Sequence, residues 1–395
     1  MLKLSGVDIC GINGIKSLNV NFNPGINIIC GKNGIGKTTI LECIVSLLNN
    51  RTNNNIRKNL NSHESYYVIY GLNKQDNFYR EKYLFDEDDD NNKRWEYKYS
   101  IENNRKVSNN YVYLSIHRSQ INSIYGNKLE LIQNWFGEVY NKRQLSIFEY
   151  DDFQMAVECF SKLDPKIQYS GAKFSENHAK NRENSDFYSN RKKNKAEIYV
   201  KTSDGEMPLK YLSAGYLSCL AIFLDIIKKA KTISGFENAI EEYEGLILID
   251  EIDLHLHPEW QKKVLEILKW MIPKAQIIAT THSPHIIQAV EANEVIVIDN
   301  QFGICHTKVN NSNFIYGYQG WSIEEILEDV MGLKNTYSDL YNDLLKSIEN
   351  AIDKMDAETA NRNLQSFKQL LHPNNHLAKI LSIQVASIEG VRGYD

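Results

Sequence analysis

Hydrophobic positions along the chain follow two periods, and the switches between them mark out the elements. Ile26 to Cys30 is a short, mostly apolar run that predicts a buried strand. Ile40, Leu41, Ile44, Val45, Leu47 and Leu48 then recur at helical spacing. Upstream, Val20 and Phe22 alternate with Asn21 and Asn23 before a Pro24-Gly25 turn. Residues 1–30 are therefore expected to hold two or three short strands. The Asn-rich stretch 49–62 reads as a loop. Runs rich in Tyr, Val, Ile and Phe at about 65–72, 78–85, 94–100 and 111–116 predict an antiparallel β subdomain.

Helical spacing returns over 127–165. Leu129, Leu131, Ile132, Trp135 and Phe136 form one face there, and Val157, Phe160 and Leu163 another. Residues 170–195 are polar and mixed in charge, ending in Arg191-Lys-Lys-Asn-Lys195, and are expected to be mobile. A strand resumes at Ala196 to Val200. Leu217, Leu220, Ala221, Phe223, Leu224 and Ile227 predict a strong helix after it, with Lys228 and Lys229 at its negative end. Leu246 to Ile249 reads as a central parallel strand. Pro258 suits the first position of the next helix, carried on by Val264, Leu265, Leu268 and Met271. Gln276 to Thr280 and Val295 to Ile298 are further core strands. Residues 310–395 predict a helical C-terminal lobe. It opens on a capping box at Ser322–Glu325 and a stop at Gly332, followed by amphipathic helices over Leu340–Met355 and Leu364–Leu371.

The candidate chemistry sits at the switches. Gly31-Lys-Asn-Gly-Ile-Gly-Lys-Thr-Thr39 matches the phosphate-loop pattern G-x-x-x-x-G-K-[ST] at every fixed position, between a strand and a helix. Gly31, Gly34 and Gly36 let backbone N–H groups curl around a phosphate, and the following helix points its positive end the same way. Lys37 is expected to reach the β and γ phosphates of ATP, and Thr38 to place its hydroxyl on Mg²⁺. Asp250 and Glu251 end the Leu246–Ile249 strand. Asp250 is the expected Mg²⁺ ligand through water, and Glu251 the base that deprotonates an attacking water. Ser213 and Gly215 open a helix and make a second anion site. His282 follows the Gln276–Thr280 strand, where it can hydrogen-bond a γ-phosphate.

Other patterns change the picture less. Asn73-Lys-Gln-Asp76 spells the guanine-reading motif, but it falls in a hairpin turn early in the chain and is rejected. His255 and His257 lack a third metal ligand nearby. The acidic run at 85–91 reads as a solvated hairpin tip. The six cysteines form no C-x-x-C pair and are expected to be buried thiols. With 42% hydrophobic and 24% charged residues the composition is that of an ordinary soluble globular protein, and 395 residues suffice for one large core plus an appended lobe, or for two domains. With no apolar run of membrane-spanning length and no secretory pattern, a cytoplasmic location is expected. The net charge of −5 gives no global pull toward nucleic acid, although a local basic groove remains compatible with it.

Taken in order, these elements resemble the ABC-type ATPases of the SMC/RecF group. Gly31–Thr39, with Asn33 and Thr39 inside it, resembles the Walker A loop. Leu212–Tyr216 resembles the signature, although Ala214 and Tyr216 depart from L-S-G-G-Q. Leu246–Glu251 resembles Walker B, Asp253 the D-loop aspartate, and His282 the switch histidine. Gln120 falls where the family keeps its Q-loop. The Asp250–Gln261 and Thr280–Pro284 stretches narrow the resemblance to stand-alone bacterial defence ATPases, the PtuA ATPases of the Septu system and the retron-associated ATPases.

The resemblance implies a P-loop NTPase head over 1–309. That head would hold a Walker A lobe with the β subdomain (1–121), a helical insertion (122–195) and a segment carrying signature, Walker B and switch (196–309). It also implies a head-to-head homodimer or higher homo-oligomer, in which Ser213 and Gly215 complete the partner's site. An HNH-type partner nuclease, docked on the 310–395 lobe, would be the effector in anti-phage defence. The alternative is a DNA-repair or DNA-binding ATPase without a nuclease, and the absence of heptads between the loop and the signature weighs against it.

Overall fold

The computed structural model describes residues 2–49, 55–59, 61–62, 64–73, 76–84, 95–98, 111–115, 128–140, 142, 145–174, 196–232, 237–301, 304–308 and 316–392. The chain divides into two compact units, Met1–Gly332 and Leu333–Asp395.

The first unit begins with β1 (Leu2–Ile12), β2 (Ile15–Asn21), β3 (Ile26–Gly31) and helix α1 (Lys37–Asn49). Strands β4 (Tyr66–Asn73), β5 (Asp76–Leu84), β6 (Trp95–Lys98) and β7 (Tyr111–Leu114) follow. Helices α2 (Lys128–Tyr140) and α3 (Ile147–Leu163) lead into β8 (Gln168–Phe174), β9 (Ala196–Thr202) and β10 (Gly205–Pro208). Then come α4 (Ala214–Thr232), β11 (Leu246–Ile249), α5 (Pro258–Met271), β12 (Gln276–Thr280), α6 (Pro284–Ala289), β13 (Val295–Gln301) and β14 (Ile304–Lys308). The short α7 (Ile323–Glu325) continues as a wider π turn over Ile326–Val330.

The main sheet has the order β6-β5-β4-β1-β2-β14-β13-β3-β12-β11-β7. Its centre, β13, β3, β12, β11 and β7, is parallel. The β6–β2 side is antiparallel. This is the α/β, P-loop type of fold that the motif order predicts. Parallel strands covered on both faces must be apolar at every position, and β11 is fully buried throughout. Leu246 and Leu248 join the core around α1, whereas Ile247 and Ile249 join the one around α4 and α5.

Three expectations are corrected. The 111–116 run is not part of the antiparallel group, because β7 pairs in parallel with β11, from Leu246↔Tyr111 to Ile249↔Leu114. Its side chains divide between the two cores as those of β11 do: Val112 and Leu114 enter one, Tyr111 and Tyr113 the other. The start of the 170–195 segment is a strand, since β8 pairs with β9 in a separate three-stranded sheet. Finally, the second unit begins at Leu333 and not at 310. The Ser322 capping box forms as expected, but Ile326, Val330 and Met331 of that segment are buried in the first unit's core.

The second unit packs α8 (Asp339–Asp353), α9 (Ala357–Leu370) and α10 (His376–Arg392) around Ile348, Ala360, Leu364, Phe367, Leu381 and Val385. Asn73 and Asp76 face each other across the end of the β4–β5 hairpin, as the turn reading requires. Gln120, the acidic run at 85–91 and the basic run at 191–195 lie outside the described residues. Cys30, Cys43, Cys159 and Cys219 are buried, and Cys10 is partly exposed. Among the described residues no helix is long and apolar enough to cross a membrane.

Candidate nucleotide site

β3, β12 and β11 lie side by side and parallel, so their carboxyl ends share one edge of the sheet. That edge is where open α/β sheets take their ligands. β3 ends at Gly31, and α1 begins at Lys37. Gly31 (φ +139°) and Gly36 (φ +103°) adopt angles that L side chains resist. A Cβ on Gly31 would lie 2.3 Å from the Ile298 carbonyl oxygen, and one on Gly36 would lie 2.7 Å from Ile15 Cδ1. The loop is thus held between β13 and β2, with Asn33 and Gly34 exposed at its rim. Thr39 is steadied from outside by Asn13, whose Nδ2 donates to Thr39 Oγ1 at 3.2 Å.

Lys37 is buried, and its Nζ donates to the carbonyls of Gly31 (2.9 Å) and Lys32 (3.0 Å). Burial lowers its pKa, against the raising influence of Cys30, Asp253, Glu251 and Asp250. Its ammonium therefore already lies in the field of the three acids that follow β11. Asp250 is fully buried. Its backbone N–H donates to the Leu114 carbonyl at 2.9 Å. Its Oδ1 accepts from Thr38 Oγ1 at 3.2 Å and from Thr280 Oγ1 at 2.6 Å. Glu251 takes a left-handed backbone (φ +48°), and its N–H donates to Thr280 Oγ1 at 2.7 Å.

Asp253 serves the switch loop within the same chain. Its Oδ1 accepts from Thr281 Oγ1 at 2.6 Å and from the His282 N–H at 3.1 Å. Burial, helped by the charge of Lys37, pulls the His282 imidazole below its ordinary range, with Asp253 and Asp250 opposing. The neutral form of the His282 ring is thereby favoured. Because the unfolded chain binds that proton more readily, this residue's contribution to stability falls as the pH drops through the ordinary histidine range.

The donors suit a hard cation beside a polyphosphate. Thr38 and Asp250 bring a hydroxyl and a carboxylate together in a buried setting, the oxygen ligands Mg²⁺ prefers. Gly31 and Gly36 let the loop pack closely against Ile298 and Ile15, Gly34 has open space around it, and Lys37 supplies the cation.

Ser213 and Gly215 flank the first residue of α4, Ala214. Ser213 is exposed just ahead of α4. Gly215 lies under Trp260 of α5, so an added Cβ would come within 2.5 Å of the indole ring. Trp260 also meets Tyr216 edge-on at 6.2 Å, and the Tyr216 hydroxyl donates to the Phe160 carbonyl at 2.8 Å. The next residue, Gln261, accepts from Ser283 Oγ at 2.6 Å. The first turn of α5 therefore touches both the start of α4 and the switch loop. Gly215→Ala is expected to displace the indole and destabilise the fold by about 1–3 kcal/mol. Thermal denaturation checks this, and an unchanged midpoint would mean that the ring yields without cost. His257 acts locally as the cap of α5, its Nδ1 accepting from the Glu259 N–H at 3.4 Å.

Sequence reasoning missed Thr280, Asn13 and the Trp260–Gln261 pair. Only the Thr280-Thr-His run carried a signal, since hydroxyl residues are uncommon at the end of a strand buried on both faces.

Residues 26–288 match the family described as "AAA domain, putative AbiEii toxin, Type IV TA system". The Septu protein PtuA of Bacillus thuringiensis is 35% identical over 98% of this chain and 98% of its own. A retron Ec83 probable ATPase of Escherichia coli is 25% identical over 48% of this chain and 34% of its own. Among solved structures, an SMC head bound to the C-terminal winged-helix domain of ScpA is similar, with a TM-score of 0.50 and 16% identity. It covers 78% of this chain and 97% of that one, a likeness of fold. On the loop, the strand-end acids and a match that runs nearly end to end, the chain belongs to the PtuA family of AAA-domain ATPases.

Proposed function

We propose that the chain binds and hydrolyses ATP with Mg²⁺, and that two copies close head to head to gate a partner nuclease in anti-phage defence. The observation that carries the reading is the gathering of Lys37, Thr38, Asp250 and His282 at the carboxyl ends of β3, β11 and β12. Lys37 exchanges its carbonyl partners for the β and γ phosphates. Thr38 and Asp250 would hold Mg²⁺, which would supply positive charge against those phosphates. Glu251 accepts the proton of the attacking water. Neutral His282 donates a ring N–H to the γ-phosphate. Ser213 and Gly215, at the start of α4, complete the site of the facing copy. Full-length similarity to a Septu PtuA supports the defence setting.

The effector is assigned to another chain, because the acids gathered at the site are taken up by nucleotide chemistry. Two-metal cleavage needs a further carboxylate cluster. Glu324 and Glu325 lie in the first turn of a capped helix, where they complement its positive end. The second unit, with a core of its own, is the proposed dock.

The test is to purify the chain and measure ATP hydrolysis alongside DNA and RNA cleavage with Mg²⁺ or Mn²⁺. Hydrolysis without cleavage is expected. A chain ending at Gly332 should keep ATP binding and lose its hold on a nuclease encoded beside it. Metal-dependent cleavage by the isolated chain, lost on mutating acids beyond 310 but kept in Glu251→Gln, would overturn the proposal.

A further inference from the structure

Thr280 is the last residue of β12 and is fully buried. Parallel register sets it beside the end of β11, since Ile249 pairs with Ala279. Its hydroxyl donates to Asp250 Oδ1 at 2.6 Å and accepts from the Glu251 N–H at 2.7 Å. Its carbonyl accepts from the Ile252 N–H at 2.9 Å. One residue thus ties down three consecutive positions across the strand boundary. A hydroxyl has a single proton, so spending it on the carboxylate leaves its lone pairs for the amide, and the two bonds together fix its orientation.

Both bonds act where orientation counts. Asp250 Oδ1 is the atom that also meets Thr38. Glu251 sits at φ +48°, a backbone that an L residue adopts only when its surroundings hold it there. Valine in place of Thr280 would fill nearly the same volume and preserve the apolar contacts. It would remove the hydroxyl that aims the carboxylate and the acceptor that holds the bend.

We propose that Thr280 is a positioning residue that sets Asp250 for the cation and Glu251 for the attacking water. The inference rests on the ATPase reading above. It predicts a defect in cation binding and turnover with little change in metal-free nucleotide affinity, because Lys37 and the glycine loop are untouched.

The experiment compares wild type, Thr280→Val, Thr280→Ala and Thr280→Ser as full chains. Mn²⁺ affinity is read by electron paramagnetic resonance in the presence of a non-hydrolysable ATP analogue, and kcat and KM for ATP are measured in Mg²⁺. Thr280→Val should weaken Mn²⁺ binding and lower kcat, each by about 10- to 100-fold, while affinity for the analogue measured without metal stays nearly constant. Thr280→Ser should stay close to wild type. Alanine and serine both lack the methyl group, so their difference isolates the hydroxyl even if valine disturbs folding. Equal Mn²⁺ affinity and kcat in the alanine and serine variants would overturn the Thr280 role while leaving the ATPase reading intact. A wild-type chain that neither binds the analogue with Mn²⁺ nor hydrolyses ATP would overturn that reading, and this role with it.

Discussion

Lys37→Ala is expected to leave a folded chain without measurable affinity for ATP. The ammonium is the cation held inside the loop, bonded to the Gly31 and Lys32 carbonyls and surrounded by acids. Without it, those acids face an incoming polyphosphate with nothing between to neutralise them, and repulsion replaces attraction. Glu251→Gln separates binding from chemistry. The amide keeps the size of the side chain and the backbone bond to Thr280, but it cannot accept a proton from water. Nucleotide binding should persist while turnover falls about 10²- to 10⁴-fold. Titration with a fluorescent ATP analogue and a phosphate-release assay, run on both variants, give the answer. Near-normal hydrolysis in Glu251→Gln would remove that residue from its role.

Ser213→Arg should bind ATP normally and lose turnover by about 10²- to 10³-fold, the scale of removing a positioned anion donor. Ser213 is exposed, so the arginine is accommodated by the isolated fold and the melting temperature should not move. Its effect arises only when a second head approaches and the guanidinium occupies the space meant for a γ-phosphate. Mixing this variant with Lys37→Ala is the decisive arm. Each mixed dimer then holds one intact loop facing one intact signature, and activity reappears from two inactive preparations. If Ser213→Arg hydrolyses normally by itself, the facing-copy arrangement fails.

The sequence announced most of this site because its parts are local. Strand, glycine loop and helix follow one another within residues 26–49, and the structure has them as β3, the loop and α1. Four apolar residues followed by two acids likewise predict β11 without any knowledge of its neighbours. What stayed hidden depends on pairing. Tyr111–Leu114 has the same residue types whether it joins a hairpin or the edge of a parallel sheet, and only its partner, β11, decides. Thr280 gains its importance from register with a strand some thirty residues away in sequence. The polarity of 168–174 concealed an edge strand, since a strand in a small sheet needs few apolar residues. The boundary at Leu333 was equally out of reach. The apolar face over Ile326–Met331 announces burial but does not say in which core.

The alternation along β11 carries a consequence for how such a protein tolerates change in length. Removing one residue from Leu246–Ile249 would exchange the contents of the two cores, sending Leu248 where Ile249 belonged. If the strand kept its register instead, Asp250 would be drawn back by about 3.3 Å, away from Thr38 and Thr280. The strand therefore works as a ruler whose graduations are residues. Swapping one aliphatic side chain for another there alters packing alone, whereas any insertion or deletion recalibrates the site.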